Sequence, residues 1–327
     1  MNLSHADQIA KAALYEGYLL YPYRPSAVKN RQRWNFGVIY PPAYGEADDG
    51  CSLSTMQTEI LALGTSVSRI EVRLRFLQLE TAIDSAAATP RGWQYAVERE
   101  IILPARPLQE LCASACVHSV RLPAEKRTVD EMDDGQRSAT TRVQEAIEGR
   151  IEIKAESPES EIFRIRVRVS NTTSMTGPSN RDAALLRSLV SAHIVLGVES
   201  GEFVSLLEAP GRLQFLAAQC ENLGVWPVLV GHPGERDTVM ASPIFLYDYP
   251  QIAPESAGDL FDGTEIDEIL SLRIMTLTDD EKAEIRRSDD RARQILDRTE
   301  AMPAEHFMRM HGAMRKVDTP TQKEDAS

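Results

Sequence analysis

The chain has 327 residues, 43% of them hydrophobic, with 49 acidic against 36 basic side chains and a formal net charge of −13. That length fits one large domain or two ordinary ones, with enough chain to bury about 75% of the unfolded surface. The charge repels phosphate backbones and excludes nucleic acid as a general partner; no run reaches the ~18 apolar residues of a membrane span; and Cys51, Cys112, Cys116 and Cys220 are too few for a disulfide framework, so reduced thiols are expected.

The start, MNLSHADQIAKAALYEG, has no basic segment followed by an apolar core, so no secretion signal and a cytoplasmic location are expected. Residues 5–20 form a first predicted helix, with Ile9, Ala12, Ala13 and Leu20 as a partial apolar stripe. An aromatic, basic stretch follows, cut by Pro22, Pro25, Pro41 and Pro42 into short extended pieces. Its Arg24, Lys29, Arg31 and Arg33 are a composition that binds single strands. The net charge argues against that use, and the patch could equally hold the protein's own acidic stretch.

Strand signals dominate the middle. Ile70, Val72, Leu74 and Phe76 alternate with Glu71, Arg73 and Arg75, and Phe163, Ile165, Val167 and Val169 alternate with arginines. A period of two puts apolar groups on one face. GRIEIKAES joined by SPES to IFRIRVRVS predicts a hairpin over 150–170, with Glu152 across from an arginine. YAVEREIILP, VHSVRLP, SAHIVLGV, EFVSLLE, VWPVLVG and SPIFLYDY are further strands, with ESGEF as a turn. Residues 123–140 and 171–182 read as loops, and 210–224 as a helix stopped by Gly224.

Near the C-terminus, Thr278 and Glu281 stand at capping-box spacing before a helix broken by Pro303, and AEHFMRMHGAMRK forms a second one. One-face-polar strands with short turns imply antiparallel pairing. The expected fold is α+β: an antiparallel β-sandwich or distorted barrel with a few peripheral helices and a C-terminal helical extension. Residues 1–275 form the sheet domain, with a subdivision near 171–182; 276–316 form the extension and 317–327 a disordered tail.

Strong chemical motifs are missing: no GxxxxGK[ST], GxGxxG, GxSxG, HExxH or CxxC occurs. His232, Glu235 and Asp237 in GHPGERD are acid/base candidates in what is otherwise a turn sequence. Cys112, Cys116 and His118 are metal candidates, against the alternative of two small thiols packed in a core. No cofactor is expected. Residues 247–269, YDYPQIAPESAGDLFDGTEIDEI, hold seven carboxylates and no Lys or Arg. Aligned as a calcium loop, the stretch puts Gly258, Leu260 and Ile269 at ligand positions, which excludes an EF-hand. Asp262 and Glu265 fit helix entry, and Asp248, Glu255, Asp259 and Asp262 are candidates for docking a partner.

The most specific pieces of the second half are WPVLVG, SPIFLYDYPQIAPESAGDLFDGTEIDEIL and MHGAMR. Through them the chain resembles conserved accessory-type proteins encoded in gene clusters of high-affinity, oxygen-tolerant nickel–iron hydrogenases, over about residues 190–310 and less distinctly before. The resemblance implies a genomic setting and a partner, a hydrogenase subunit or maturation protein. It carries no catalytic residues over. The chain lacks the paired CxxC motifs of a catalytic subunit, the cluster cysteines of an electron-transfer subunit and the P-loop of a nickel inserter. The expected function is a non-catalytic accessory or assembly factor acting by protein binding. The alternatives are a metal-dependent hydrolase acting in maturation and a structural bridging module.

Overall fold

The computed structural model describes residues 3–31, 33–48, 51–82, 94–133, 136–175, 180–252, 258, 260, 267–288 and 290–310. The fold is α+β, built on one large antiparallel sheet that does not close. Its spine is β1 (Thr55–Ala82). Helix α1 (Leu3–Leu14) and the short α2 (Pro42–Ala47) precede it. The first helix stops before the expected residue 20, ahead of Gly17 at φ +70, a conformation glycine adopts without steric cost. After β1 come β2 (Gln94–Pro107), α3 (Leu108–Ala113), β3 (Cys116–Leu122), β4 (Glu125–Asp133), β5 (Gln136–Gln144), β6 (Ile147–Glu159) and β7 (Ile162–Asn171). Then follow α4 (Arg181–Leu185), β8 (Val190–Phe203), α5 (Gln214–Ala217), β9 (Trp226–Leu229) and β10 (Thr238–Ser242). The strand order is β3-β6-β7-β1-β8-β10-β9, with β2 and β5 also on β1 and β4 on β5.

The length of β1 explains the sandwich-like shape. Its first half pairs with β7 and its second half with β2 on the same edge, while β8 runs along the other. Between Gly64 and Arg69 the register breaks. There the Ser68 hydroxyl donates to the Ser200 carbonyl at 2.5 Å and accepts from the Thr65 amide at 2.9 Å, so the bulge leaves those groups paired. Both halves of β1 then send side chains into one core. Ile60 and Ala62 meet Ile70, Val72 and Leu74 there, with Ile153, Val167 and Leu196 of the neighbouring strands.

The predicted hairpin over 150–170 is β6–β7, and Glu152 stands opposite Arg168 in the register. The charges pair elsewhere: Arg150 reaches Glu152 at 2.7 Å, and Arg168 donates to the Gln57 side-chain oxygen at 2.7 Å. Three expectations are corrected. Residues 199–203 are no turn; β8 runs through them because β1 offers pairing positions on both sides of Gly201, and Ser200 takes the kink at φ 57. The expected loop at 123–140 is largely the β4–β5 hairpin, with Asp133 paired to Gln136. The helix over 210–224 shrinks to a single turn and α5, because Leu223 and Asn222 turn back to bond Gln57 and Thr58 of β1.

The C-terminal part is helical: α6 (Asp267–Met275), α7 (Asp279–Ser288), α8 (Asp290–Glu300) and α9 (Ala304–Met310). The capping box forms, with Thr278 N donating to the Glu281 carboxylate at 2.9 Å and Glu281 N donating to Thr278 Oγ1 at 3.3 Å. Leu270, Ile274, Ile285, Ile295 and Leu296 share a second core with Tyr15, Tyr18, Tyr23, Trp34 and Leu79. The expected tail at 317–327 lies outside the described residues. Among the described residues no helix is long and apolar enough to cross a membrane.

Candidate functional site

His232, Glu235 and Asp237 lie together in the connection between β9 and β10. The Glu235 carboxylate accepts from the His232 amide at 2.9 Å, and the Glu235 amide donates to the His232 carbonyl at 2.9 Å. Gly231, at φ +141, makes room: a Cβ there would stand 2.5 Å from the Glu235 carboxylate. Asp237 accepts from the Thr238 hydroxyl at 2.8 Å. These bonds are of the kind that shapes a turn. The His232 ring is exposed and lies 5.7 Å from the ring of His5 on α1.

Cys112 lies in the last turn of α3, and Cys116 and His118 lie two apart on β3. Both thiols pack against the main core, while His118 is exposed. Among the described residues no group of three or more His, Cys, Asp or Glu side chains is placed to hold a metal ion. Burial, helped by the Glu156 carboxylate, pushes the Cys112 thiol above its ordinary range. Burial also pushes Cys220 up to about 12, with Glu59 adding to it. A thiol raised in this way is a weaker nucleophile than an ordinary cysteine.

The acidic stretch begins with a carboxylate turned inward. Asp248 Oδ1 accepts from the Leu229 amide at 2.8 Å and Oδ2 from the Ser205 hydroxyl at 2.5 Å. Ser205 Oγ in turn accepts from the Leu207 and Glu208 amides at 3.1 and 2.9 Å. Asp248 therefore fixes the loop after β10 onto the end of β9 and the turn at 205–208. Its neighbours point the other way. Phe245 is 68% and Tyr247 74% exposed, and their rings meet edge to face at 5.3 Å. Ile252, 47% exposed, extends the same apolar segment, while Leu246 packs inward. Glu255, Asp259 and Asp262 lie outside the described residues.

Sequence reasoning read SPIFLYDY as a strand. The alternation is present but the ladder is not, since β9 pairs with β10 only as far as Trp226–Ser242 and Pro243 has no N–H to continue it. What the alternation marks is an aromatic edge facing outward. Two of the four cations of the basic patch are engaged internally: Arg24 pairs with Glu281 at 3.0 Å and Glu284 at 3.6 Å on α7. Arg33 donates to the Gln94 carbonyl at 2.6 Å and lies over the Trp34 ring at 4.9 Å. Compared with known proteins, the chain matches no family model and no curated sequence.

Proposed function

We propose that this chain is a cytoplasmic accessory or assembly factor that binds a nickel–iron hydrogenase subunit or maturation protein and carries out no chemistry of its own. The observation that carries the docking part is the exposed Phe245–Tyr247 pair at the head of the acidic stretch. Large aromatic side chains lose little entropy on docking and dominate interface energies. Asp248 supports them by holding their loop to the sheet. The carboxylates that follow, with no Lys or Arg over 247–269, favour a partner with a basic rim around an apolar pocket. The hydrogenase setting is supported by the resemblance of residues 190–310.

Deletion of the gene, followed by assays of hydrogen uptake and of large-subunit processing, tests this function. Loss of uptake or accumulation of unprocessed large subunit is expected. Unchanged uptake and processing would contradict the proposal.

A further inference from the structure

A second feature lies away from the aromatic loop, on the segment that leads from the N-terminal arm into β1. Arg181, the first residue of α4, reaches back across the chain. Its Nη2 donates to the carbonyls of Arg33 and Trp34 at 2.7 and 2.9 Å and to the Asn35 side-chain oxygen at 2.9 Å. All three acceptors are neutral. Among the described residues no carboxylate stands within ion-pair distance of this guanidinium; the same holds for Arg99 and Arg168, which donate to glutamine side chains.

Arg181 lines a cavity of about 310 Å³, the size of a compact small-molecule site. Val38, Leu53 and Met56 supply apolar wall, and the Tyr40 phenol a polar one. The Tyr40 ring is braced by Tyr44, with centroids 4.9 Å apart. Burial holds the phenol protonated above its ordinary range, against the opposing pull of Arg181; it is thus a neutral donor beside the cation. Gly224 at φ +73 forms part of the wall, and Cys51 stands at the mouth, exposed. Asp48, in the segment just before Cys51, accepts from the Ser52 hydroxyl at 2.6 Å at the surface.

We propose that this cavity binds a small organic carboxylate with an apolar body, its carboxylate on Arg181 and its body against Val38, Leu53 and Met56. A guanidinium makes charge-assisted hydrogen bonds to a carboxylate. Nη2 already gives its hydrogens to residues 33–35, so the ligand's carboxylate is met by the N–H groups of Nη1 and Nε, on a cation held in place before the ligand arrives, which lowers the entropy cost of binding.

Cys51 supplies the readout. It lines the cavity and is exposed, so a bound molecule shields it from alkylation. The full-length protein is treated with iodoacetamide at fixed ionic strength, with benzoate or with the neutral isostere benzamide, and each cysteine's labelling rate is followed by peptide mass spectrometry. Benzoate is expected to slow Cys51 labelling saturably, roughly tenfold at ten times the half-saturating concentration; benzamide leaves the rate unchanged. Arg181→Gln removes the protection. Because Arg181 also anchors residues 33–35, Leu53→Phe, which fills the cavity and leaves those bonds in place, serves as the second variant and reduces protection as well. The proposal is overturned if benzoate up to about 10 mM gives the wild type no protection, if benzamide protects equally, or if a folded Arg181→Gln or the Leu53→Phe variant is protected like the wild type.

Discussion

The Tyr23 hydroxyl donates a hydrogen bond to the carbonyl oxygen of Leu260 at 2.7 Å, across 237 positions of sequence. Both residues are buried. The bond ties the aromatic N-terminal arm to the middle of the acidic stretch, next to the Arg24 ion pairs with α7. Residues of the N-terminal arm and of helices α6, α7 and α8 therefore pack together against Leu77 and Leu79 near the end of β1.

Tyr23→Phe removes the donor and leaves a buried carbonyl unpaired, which costs about 1–3 kcal/mol. Urea unfolding should show that loss as a lowered midpoint with an unchanged slope. Tyr247→Phe, at an exposed site, should leave the midpoint where it was. Equal effects of the two substitutions would contradict the latch.

Gly201 and Gly64 face each other where β1 and β8 bend together. A Cβ on Gly201 would stand 2.8 Å from the Leu63 carbonyl oxygen and 2.9 Å from a Val198 methyl. Backbone cannot step aside as a side chain can, so Gly201→Ala is expected to cost about 1–3 kcal/mol. At Gly64 the obstacle at 2.8 Å is the Ser68 hydroxyl. In the Gly64→Ala, Ser68→Ala double variant that obstacle is gone, so the double variant should lose less stability than the sum of the two single losses; a double-mutant cycle measures this coupling, and losses that simply add would contradict it.

His193 sits fully buried on β8 with Nδ1 on the Ser191 carbonyl at 2.8 Å. Burial, with Arg75 acting in the same direction, lowers its pKa to about 4 from 6.5. The unfolded chain takes up this proton first, so the neutral imidazole's contribution is full above pH 6.5 and is lost as pH falls towards 4. The shift is worth about 3 kcal/mol across that window. Stability measured at pH 7 and pH 4 should fall by about that much more in the wild type than in His193→Gln. An identical fall in both would show that His193 does not set the acid limb.

Glu59 is 1% exposed and holds Arg166 Nε at 2.5 Å and the Glu221 amide at 2.9 Å. Glu59→Ala leaves Arg166 without its partner, and about 3–5 kcal/mol of destabilisation is expected. Glu156→Ala removes the ion pairs to Arg164 and Lys154 at the surface, and a change within about 1 kcal/mol is expected. Thermal unfolding of the two variants separates the buried from the exposed case.

Features that depend on near neighbours were legible in the sequence. The Thr278–Glu281 box needs only a helix start and three residues of spacing, and the β6–β7 hairpin needs only alternation on both sides of a short turn. Features set by distant pairing were not. Whether β8 turns or continues at Ser200 depends on the register of β1, and the β4–β5 hairpin has only scattered apolar residues, such as Val129 and Val143, so no apolar alternation marks it. The acceptors of Arg181 lie 146 to 148 positions away, and no local pattern could have assigned them. At 243–250 the alternation was read correctly and its meaning was not, because it is the lost ladder that turns Phe245 and Tyr247 outward.

The docking claim is tested most directly by affinity capture from the native host, comparing the full-length wild type with the Phe245→Ala, Tyr247→Ala double variant at equal bait levels. Bound proteins are quantified by mass spectrometry. A nickel–iron hydrogenase subunit or maturation protein is expected to be enriched on the wild type and to fall at least about tenfold on the double variant, as loss of two aromatic anchors implies. Hydrogenase proteins absent from the wild-type capture, or present equally on both baits, would contradict it.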